Sequence, residues 1–447
     1  MDPASFFFRE LVYYPVAAYT AGPVRRHLRT FMRSERATRD ERNRGQSQAL
    51  ASLVDHSRRR VPFYAGLPAL PGGGEDPAAS LRALPFLAKS DLQQSAAQLR
   101  STAGHGRLVA KTTGGSTGEP VTIWKTREAW ALELAATLRG YAWAGVAAGD
   151  LQARFWGVAH TSSGRNRARA IDFVCHRIRI PAFAFSEDDL AGHVRLINAR
   201  RPAWFYGYVS MLVEFARYVQ TGKVALTHRP RCIVTTSEVL TPADRALLVE
   251  VFGAPVFNEY GCGELGTIAH ECPEGRLHLS EENMLVEILD GDRPCADGEA
   301  GELVVTELNN LAFPLIRYRT GDFGSLGGEA CPCGRTLRVL NEVQGRAYDF
   351  IRNRRGQLFH GEFLMYVFED LRRQGADIRQ FQVEQVDYDR FEVRIVPGRA
   401  YDPACEELLR ERIRSFVDPE AVVQVDYVET IARERSGKLR LIKGLRA

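Results

Sequence analysis

Residues 313–322 have the sequence FPLIRYRTGD, in which an apolar run leads to a glycine and then to Asp322. The run predicts a strand that carries the carboxylate of Asp322 to a turn. A carboxylate at such a place can accept hydrogen bonds from both hydroxyls of a ribose, as acids do in other nucleotide sites. An aspartate that closes an ordinary β-turn gives the same pattern, so other parts of the chain must decide between the two.

A second run, residues 258–264 (NEYGCGE), follows an apolar stretch that predicts another strand. The run falls at the carboxyl end of that strand, where open α/β sheets bind their ligands. Tyr260 offers a flat aromatic face to a base, and Glu264 offers a hard oxygen to Mg²⁺. A tight turn that carries a solvated glutamate is the alternative interpretation.

A third run, residues 112–120 (TTGGSTGEP), combines three glycines with four hydroxyl side chains. Such a segment cannot build an apolar core, but its backbone N–H groups and hydroxyls can wrap a polyphosphate. It differs from the P-loop, because no Gly-Lys-Ser/Thr follows. A flexible surface turn is again the alternative.

A fourth run, residues 433–440 (RERSGKLR), places Lys438 in a Gly/Ser loop flanked by arginines. A lysine on such a loop can reach a distant site and neutralise phosphate charge. A basic, solvated tail has the same composition.

The composition of the 447 residues excludes some classes of protein. A net charge of +4 is too small for a dedicated nucleic-acid surface, and apolar residues make up an ordinary 45%. No apolar run reaches the length of a transmembrane helix. The aromatic residues 6–14 are interrupted by Arg9 and Glu10 and lack the pattern of a signal peptide, so we expect a cytoplasmic protein whose first helix packs on the body. Peripheral contact of that helix with a membrane stays open.

The eight cysteines are scattered rather than arranged as a disulfide framework. Cys272 and His278 form one close pair of soft ligands, and Cys331 and Cys333 form another. Two such pairs on separate loops can make a tetrahedral Zn²⁺ site with a structural role. Cys262 and His270 are competing ligands.

The pattern of apolar runs and helix caps predicts an α/β fold with two domains. Short apolar strands alternate with capped helices from about residue 105 to 340, which indicates layers around a mainly parallel sheet, and further strands at 285–289 and 302–306 indicate an added β region. We expect this large domain to span residues 1–344. Residues 345–447 predict a small α+β domain with the order helix, strand, strand, helix, strand.

In their order along the chain, at residues 112–120, 258–264, 313–322 and 433–440, and at these separations, the four runs resemble those of the adenylate-forming enzymes. This is the superfamily of acyl-CoA synthetases and adenylation domains. Within it the chain is most similar to phenylacetate-CoA ligases and CapK-like capsule-biosynthesis proteins, from about residue 45 to the end. Residues 56–64 (HSRRRVPFY), 84–92 and 235–242 (TTSEVLTP) add to the resemblance. Similar Cys and His positions recur in this branch, which favours the zinc site.

The resemblance implies binding of ATP and Mg²⁺. Tyr260 would stack on adenine and Glu264 would bind Mg²⁺, while Asp322 would hold the ribose hydroxyls with help from Arg346. Lys438 would approach the acid's oxygen and the α-phosphate, so Lys438 and Glu264 are the expected catalytic residues. The β- and γ-phosphates would be held by Thr113, Gly114, Gly115, Ser116, Thr117 and Gly118. The remaining nucleotide-site residues would be Ser237, Glu238, Asn258 and Glu259.

The resemblance further implies two half-reactions, with a mobile small domain that rotates about residues 346–349. The first makes an acyl-adenylate and pyrophosphate, and the second transfers the acyl group to CoA or another acceptor. Two positions depart from the wider superfamily: Val121 stands where many members have lysine, and the hinge has Tyr348 before Asp349. The first departure is shared with the phenylacetate-CoA ligase branch, and the second leaves the pivot undecided.

Several alternatives stay open. The acid is small and can be aromatic, because four aromatic residues could line its pocket, although such residues are more often core. These residues are Trp156, Trp204, Tyr206 and Tyr208. The acceptor could be CoA, a carrier-protein thiol or an amine, and the acid could be other than a carboxylate. A non-catalytic assembly protein that keeps only the fold, and a homodimer, are also open.

Overall fold

The computed structural model describes residues 2–70, 77–112, 121–156, 162–181, 187–327, 330–344, 350–354, 358–360, 364, 367–368, 371, 374–432 and 440–445. The chain divides into two compact units, Met1–Val343 and Gln344–Ala447. No helix in the described ranges is long and apolar enough to cross a membrane.

The first hundred residues of the larger unit are mostly helical, as the sequence predicts. The elements are α1 (Pro3–Phe7), a π-helical segment (Phe8–Tyr13), α2 (Tyr14–Thr20), α3 (Val24–Ser34), α4 (Arg39–Arg60), a 3₁₀ turn (Pro62–Tyr64), α5 (Pro77–Leu81), α6 (Lys89–Gln94) and α7 (Ala96–Leu99). Apolar residues at Leu50, Leu53 and Val54 predict a helix over residues 43–59. That helix is α4, which starts earlier because Thr38 and Glu41 form a capping box.

Strands and helices then alternate. The elements are β1 (Val109–Thr112), β2 (Thr122–Lys125), α8 (Arg127–Trp143), β3 (Gln152–Trp156), α9 (Ser162–Val174), β4 (Arg177–Pro181), α10 (Glu187–Arg200), β5 (Trp204–Tyr208), α11 (Val209–Gln220), β6 (Cys232–Thr236), α12 (Pro242–Phe252) and β7 (Val256–Cys262). Thr241, Pro242 and Asp244 predict the start of a helix. The cap is present at α12, since the Thr241 side chain accepts a hydrogen bond from the Asp244 N–H.

The remaining strands of this unit lie in the β region. They are β8 (Gly266–Glu271), β9 (Leu277–Leu279), β10 (Met284–Asp290), β11 (Arg293–Pro294), β12 (Gly301–Glu307), β13 (Tyr318–Gly327) and β14 (Val339–Gln344). Antiparallel pairing begins at β8, about twenty residues before the β region that the sequence indicates. The cause is the tight turn after β7, which returns the chain directly beside it.

Twelve of the described strands form one sheet in the order β11-β10-β12-β13-β14-β9-β8-β7-β6-β5-β3-β4. Strands β4, β3, β5, β6 and β7 pair in parallel. The pairs beyond β7 that have a described register are antiparallel. The parallel half packs around a core that includes Phe155, Phe205 and Phe215. The predicted α/β class is confirmed, and β7 is the strand at which the pairing changes.

The local structure of the 313–322 run differs from the expectation. The apolar residues before Arg317 are not a strand, because β13 begins at Tyr318, and Asp322 lies within that strand. Its pairing with β12 shifts register between Glu302 and Val304, so Asp322 sits at a bulge. Gly321 has a φ of 73°, which a glycine adopts without strain.

The smaller unit is α+β, as predicted. Its described elements are the hairpin β15 (Phe350–Arg352) and β16 (Leu358–His360), then β17 (Ile378–Asp387), β18 (Arg390–Pro397), a helix (Cys405–Phe416), β19 (Val422–Tyr427) and β20 (Ile442–Lys443). Four of these strands form a sheet in the order β19-β18-β17-β20. The first helix that the sequence predicts for this unit, at residues 362–373, falls partly outside the described residues. Within it Phe368 stacks on Phe381, with ring centroids 3.6 Å apart. The β15–β16 hairpin and β20 were not predicted.

Candidate active site

The 258–264 run forms the end of β7 and the turn into β8. Glycine is required at position 261, because a Cβ there would lie 2.3 Å from the carbonyl oxygen of Gly266. The two strands therefore approach closely at the edge where the parallel half of the sheet ends. Tyr260 directly precedes this glycine, and Glu264 follows it by three residues.

Tyr260 and Asp322 are brought together by the fold. The Tyr260 hydroxyl donates a hydrogen bond of 2.7 Å to Oδ2 of Asp322, and both side chains are buried. Burial, and then the nearby Asp322, raise the pKa of Tyr260 well above its ordinary value, so the hydroxyl stays protonated and donates. Two residues that the sequence assigns to one nucleotide are thus neighbours in space.

Glu264 lies in the turn between β7 and β8 and is 6% exposed. Among the residues that the structure describes, its carboxylate has no hydrogen-bonding or ion-pairing partner. A carboxylate supplies the hard oxygen ligands that Mg²⁺ prefers in proteins. The residue therefore fits a magnesium ligand.

Glu259 points to the opposite face of β7 from Tyr260. Its Oε1 accepts a 2.9 Å hydrogen bond from the Tyr206 hydroxyl, and its Oε2 has no hydrogen-bond partner in the described chain. Burial raises the pKa of Glu259, although the hydrogen bond from Tyr206 lowers it. Tyr206 belongs to an aromatic row with Trp156. The guanidinium of Arg154 lies 4.5 Å from the ring centre of Tyr206 and 4.4 Å from that of Trp156.

The other nucleotide-site residues predicted in this sheet are engaged locally. Asn258 donates its backbone N–H to Glu271 over 2.6 Å. The Glu238 carboxylate accepts from the backbone N–H and hydroxyl of Ser210 at the start of α11, so it caps that helix. Ser237 has a φ of 66°, a strained conformation that concentrates at functional sites.

The glycine-rich residues 113–120 lie outside the described residues, but the hairpin that carries them is described. Strands β1 and β2 pair with Thr112 opposite Thr122, so residues 113–121 connect two adjacent strands. Lys125 at the end of β2 is fully buried, and its ammonium is 2.6 Å from both Glu133 and Glu307. It also donates to the carbonyl oxygen of Leu265, the residue after Glu264.

Lys111 on β1 completes this network with a 2.5 Å contact to the second oxygen of Glu133. Burial lowers the pKa of Lys125, but Glu133 and Glu307 outweigh that effect and hold the pKa above its ordinary value. Two lysines and two glutamates thus form a neutral buried cluster. It ties the two strands of the loop hairpin to α8, to β12 and to the turn that carries Glu264.

This cluster was not predicted from the sequence. The available signal was the alternation in β2, where the buried positions are Ile123 and Lys125. A lysine at the buried position of a strand requires an acidic partner. Its partners, Glu133 and Glu307, come from distant parts of the chain, so they could not be read from spacing alone.

The four predicted zinc ligands lie together. The ligand atoms of Cys272, His278, Cys331 and Cys333 are all within 4.8 Å of one another. The Sγ atoms of Cys272 and Cys331 are 3.7 Å apart, and Cys333 Sγ is 3.3 Å from Nε2 of His278. A tetrahedral Zn²⁺ with bonds of about 2.3 Å to sulfur has ligand atoms separated by about 3.8 Å, so the spacing fits.

The surroundings of this group also fit a structural metal. Nδ1 of His278 is 2.9 Å from the carbonyl oxygen of Leu337, an acceptor that leaves Nε2 free to bind a cation. Trp143 packs against the group, and its Nε1 donates to Glu35 over 2.8 Å. The competing ligands Cys262 and His270 are not part of the group.

Lys438 and Arg346 lie outside the described residues, so the structure does not locate them. The chain just after Lys438 is described: β20 pairs in parallel with β17, with Val383 opposite Ile442. The Val383 N–H donates to the Leu441 carbonyl over 2.8 Å. The sheet of the smaller unit therefore holds the segment that follows the lysine loop.

Comparisons with known proteins show which sequences and folds this chain is similar to. Residues 351–444 match the family described as the CapK C-terminal domain. A phenylacetate-coenzyme A ligase of Thermus thermophilus is 28% identical over 323 residues, 68% of this chain and 70% of that protein. Protein CapK of Staphylococcus aureus is 22% identical over 316 residues, which cover 69% of each chain.

A solved structure of 2-hydroxyisobutyryl-CoA ligase, in the postadenylation state in complex with 2-HIB-AMP, has the same fold. Its TM-score is 0.72 at 20% identity, with 92% of this chain and 91% of that chain covered. The fold match and the two sequence matches agree with the resemblance that the four runs carry. The chain is thus similar in sequence to phenylacetate-CoA ligases and to CapK, and it shares the fold of a CoA ligase solved with an acyl-adenylate.

Proposed function

We propose that this protein activates a small carboxylic acid with ATP and then transfers the acyl group to a nucleophile, with CoA as the leading acceptor. In the first step a carboxylate oxygen bonds to the α-phosphorus of ATP and pyrophosphate leaves. In the second, the acceptor bonds to the acyl carbon and AMP leaves. Such displacements need positioning and charge stabilisation more than a protein nucleophile.

The hydrogen bond between Tyr260 and Asp322 carries this proposal. It joins a residue for the adenine to a residue for the ribose at the ligand-binding edge of the sheet. Glu264 follows Tyr260 by four residues and would hold Mg²⁺, which would neutralise charge on the phosphates. The relatives named above support the same reaction class.

The roles of the residues outside the described ranges rest on sequence alone. Residues 113–118 would hold the β- and γ-phosphates, Arg346 would assist Asp322, and Lys438 would stabilise the charge that develops at the α-phosphate. The buried Lys125 cluster supports the first role, because it anchors both strands that lead into the loop. The smaller unit, residues 345–447, would act as the lid.

The surroundings of the buried Glu259 carboxylate suggest which kind of acid is the substrate. Its Oε2 has no hydrogen-bond partner among the described residues; it lies 3.8 Å from Nε2 of His270, beside an aromatic row that includes Tyr206 and Trp156. An acid bound beside the Glu259 carboxylate and these aromatic rings should carry a hydroxyl or amino group that donates to Glu259. We therefore favour a hydroxylated or aminated, ring-containing acid over an unsubstituted one.

We also propose that Cys272, His278, Cys331 and Cys333 bind Zn²⁺. With four protein ligands the site has no open position, so its role would be structural. CoA as acceptor, a cytoplasmic location and a homodimer remain predictions from the sequence. An amine or carrier-protein thiol as acceptor, an acid other than a carboxylate, and a non-catalytic assembly role remain the alternatives.

Acid-dependent exchange of label between pyrophosphate and ATP tests the proposal. We expect exchange with at least one member of a panel of hydroxy, amino and unsubstituted acids, and none without acid. Replacement of Glu259 by Gln should reduce the preference for the substituted acids. If no acid supports exchange and ATP does not raise the melting temperature, the enzymatic function is wrong and the non-catalytic role is favoured.

A further inference from the structure

The first helix of the chain turns an apolar face to solvent. The elements Pro3–Phe7, Phe8–Tyr13 and Tyr14–Thr20 follow one another without a break. Leu11 is 64% exposed and Tyr19 is 72% exposed. The exposed large apolar side chains of this helix are Phe6, Phe7, Leu11, Val16 and Tyr19. This is the reverse of an ordinary surface helix, which turns its polar side outward.

The orientation of this helix is fixed by its inner side. Tyr13 and Ala17 are buried in a core shared with α8 and the parallel strands. Phe8 stacks on His176 with ring centroids 3.8 Å apart. Gly149 is so close that a Cβ on it would lie 2.5 Å from the carbonyl oxygen of Ser5. The helix cannot rotate to hide its outer face without losing these contacts.

Helix α9 extends the apolar face. Its Phe173 contacts Phe8 edge to face, with centroids 5.5 Å apart. Phe173 is 61% exposed, and Ile171 on the same helix is also exposed. We call the exposed side chains of the first helix, together with Ile171 and Phe173, the apolar face.

Arginines surround the apolar face. Between residues 3 and 34 the chain has five arginines and one acidic residue, Glu10. Arg25 on α3 pairs with Glu10 at 2.7 Å and lies over the Tyr14 ring. Near the other end, Arg127 donates to the carbonyl oxygen of Tyr19, and Arg107 lies 5.7 Å from the Tyr19 ring centre.

The charges continue along the flanking helices. On α3, Arg26 and Arg33 are exposed, and the helix carries no acidic residue. On α9, Arg167 and Arg169 are exposed, while the one acid, Asp172, is paired with Arg179. The rim of the apolar face is therefore strongly positive.

We propose that the apolar face docks on the surface of an anionic lipid bilayer, with the arginine rim at the level of the headgroups. Aromatic and aliphatic side chains on a helix that lies in the interface, flanked by arginines, are the pattern that binds such surfaces. The observations disfavour a second copy of the chain as the occupant. Two copies would bring their positive rims together, and Glu10 is already neutralised by Arg9 and Arg25.

Flotation of the full chain with vesicles tests this proposal. We expect the protein to float with vesicles of phosphatidylglycerol and phosphatidylcholine, and much less with phosphatidylcholine alone. High salt should weaken the binding, because it screens the arginine rim. Equal binding to both kinds of vesicle, or binding to neither, would overturn the proposal.

Matched variants locate the surface. The double variant Phe7→Ser/Leu11→Ser should lose at least tenfold in vesicle binding, and Arg26→Gln/Arg33→Gln should weaken binding to the anionic vesicles. Val422→Ser removes an equally exposed apolar side chain from the smaller unit and should change nothing. Unchanged melting temperatures verify that the variants fold. If light scattering instead shows a dimer that Phe7→Ser/Leu11→Ser converts to a monomer, with no vesicle binding, the occupant is a second copy.

Discussion

The Tyr260 hydroxyl lies 2.7 Å from Oδ2 of Asp322, although the strands that carry them are not neighbours. Three strands, β8, β9 and β14, separate β7 from β13 in the sheet. In a flat sheet the two strands would be about 19 Å apart, at about 4.8 Å for each step. The antiparallel half therefore curls back toward β7, and the curl closes the candidate nucleotide site.

Replacement of Asp322 by Ala should weaken ATP use. The variant loses a carboxylate that would accept hydrogen bonds from the ribose, and such bonds contribute about 1.5–3 kcal/mol each. We expect kcat/KM for ATP in the exchange assay to fall roughly 10- to 100-fold. Tyr260→Phe keeps the ring and should lose less. Asp290→Ala, at an exposed carboxylate, should behave like the wild type; a similar loss in Asp290→Ala would remove the specific role of Asp322.

Replacement of Lys125 by Met should destabilise the protein. It leaves Glu133 and Glu307 buried with only Lys111 to balance them, and breaking a buried pair in this way costs about 3–5 kcal/mol. The double variant Lys125→Met/Glu307→Gln restores charge balance and should recover much of the stability in urea unfolding. Lys223→Met, at an exposed pair with Glu187, is the control. Equal losses in the single and double variants would contradict the neutral-cluster account.

The pKa of Glu259 predicts a pH dependence of stability. Burial raises that pKa above the unfolded value, so between the two pKa values the folded state keeps a proton that the unfolded state has lost. The stabilising contribution is complete below the unfolded pKa of about 4.5 and is lost as pH rises through the folded pKa, at about 1.4 kcal/mol per pKa unit. Glu259→Gln has no such loss. The unfolding free energy of the variant minus that of the wild type should therefore increase as pH rises. Parallel pH profiles for the two proteins would show that Glu259 is not the titrating group.

Removal of the proposed zinc ligands should cost both metal and stability. Elemental analysis of purified wild type should find one zinc per chain, and Cys331→Ser/Cys333→Ser should contain none and melt at a lower temperature. Cys295→Ser changes a thiol outside the group and should keep the zinc. A wild-type protein without zinc, or zinc retained by the double variant, would disprove the site.

Local patterns predicted most of the secondary structure. The Thr241 cap, the capped α8 and the alternating strands of the smaller unit are short-range signals, and they appear where the sequence places them. The strand predicted before Arg317 is wrong, because apolar residues without regular pairing have the same sequence pattern as a strand. In this segment a side chain takes the place of strand-to-strand pairing: the Tyr64 hydroxyl donates a hydrogen bond to the carbonyl oxygen of Pro314.

The site was only partly predictable, for a physical reason. Spacing could pair Cys331 with Cys333, but the contact of Tyr260 with Asp322 depends on a curl that several strands build together. The Lys125 cluster depends on partners from α8 and β12. Such nonlocal contacts are fixed by packing, and a single sequence does not display them.

The products of ATP cleavage test the central claim most directly. Purified protein, Mg²⁺, ATP and the acid that supports exchange should yield AMP and pyrophosphate in equal amounts, with an acyl-adenylate detectable by mass spectrometry when no acceptor is present. Formation should stop when the acid is omitted. ADP and inorganic phosphate as the products, or ATP cleavage that does not depend on the acid, would contradict the account.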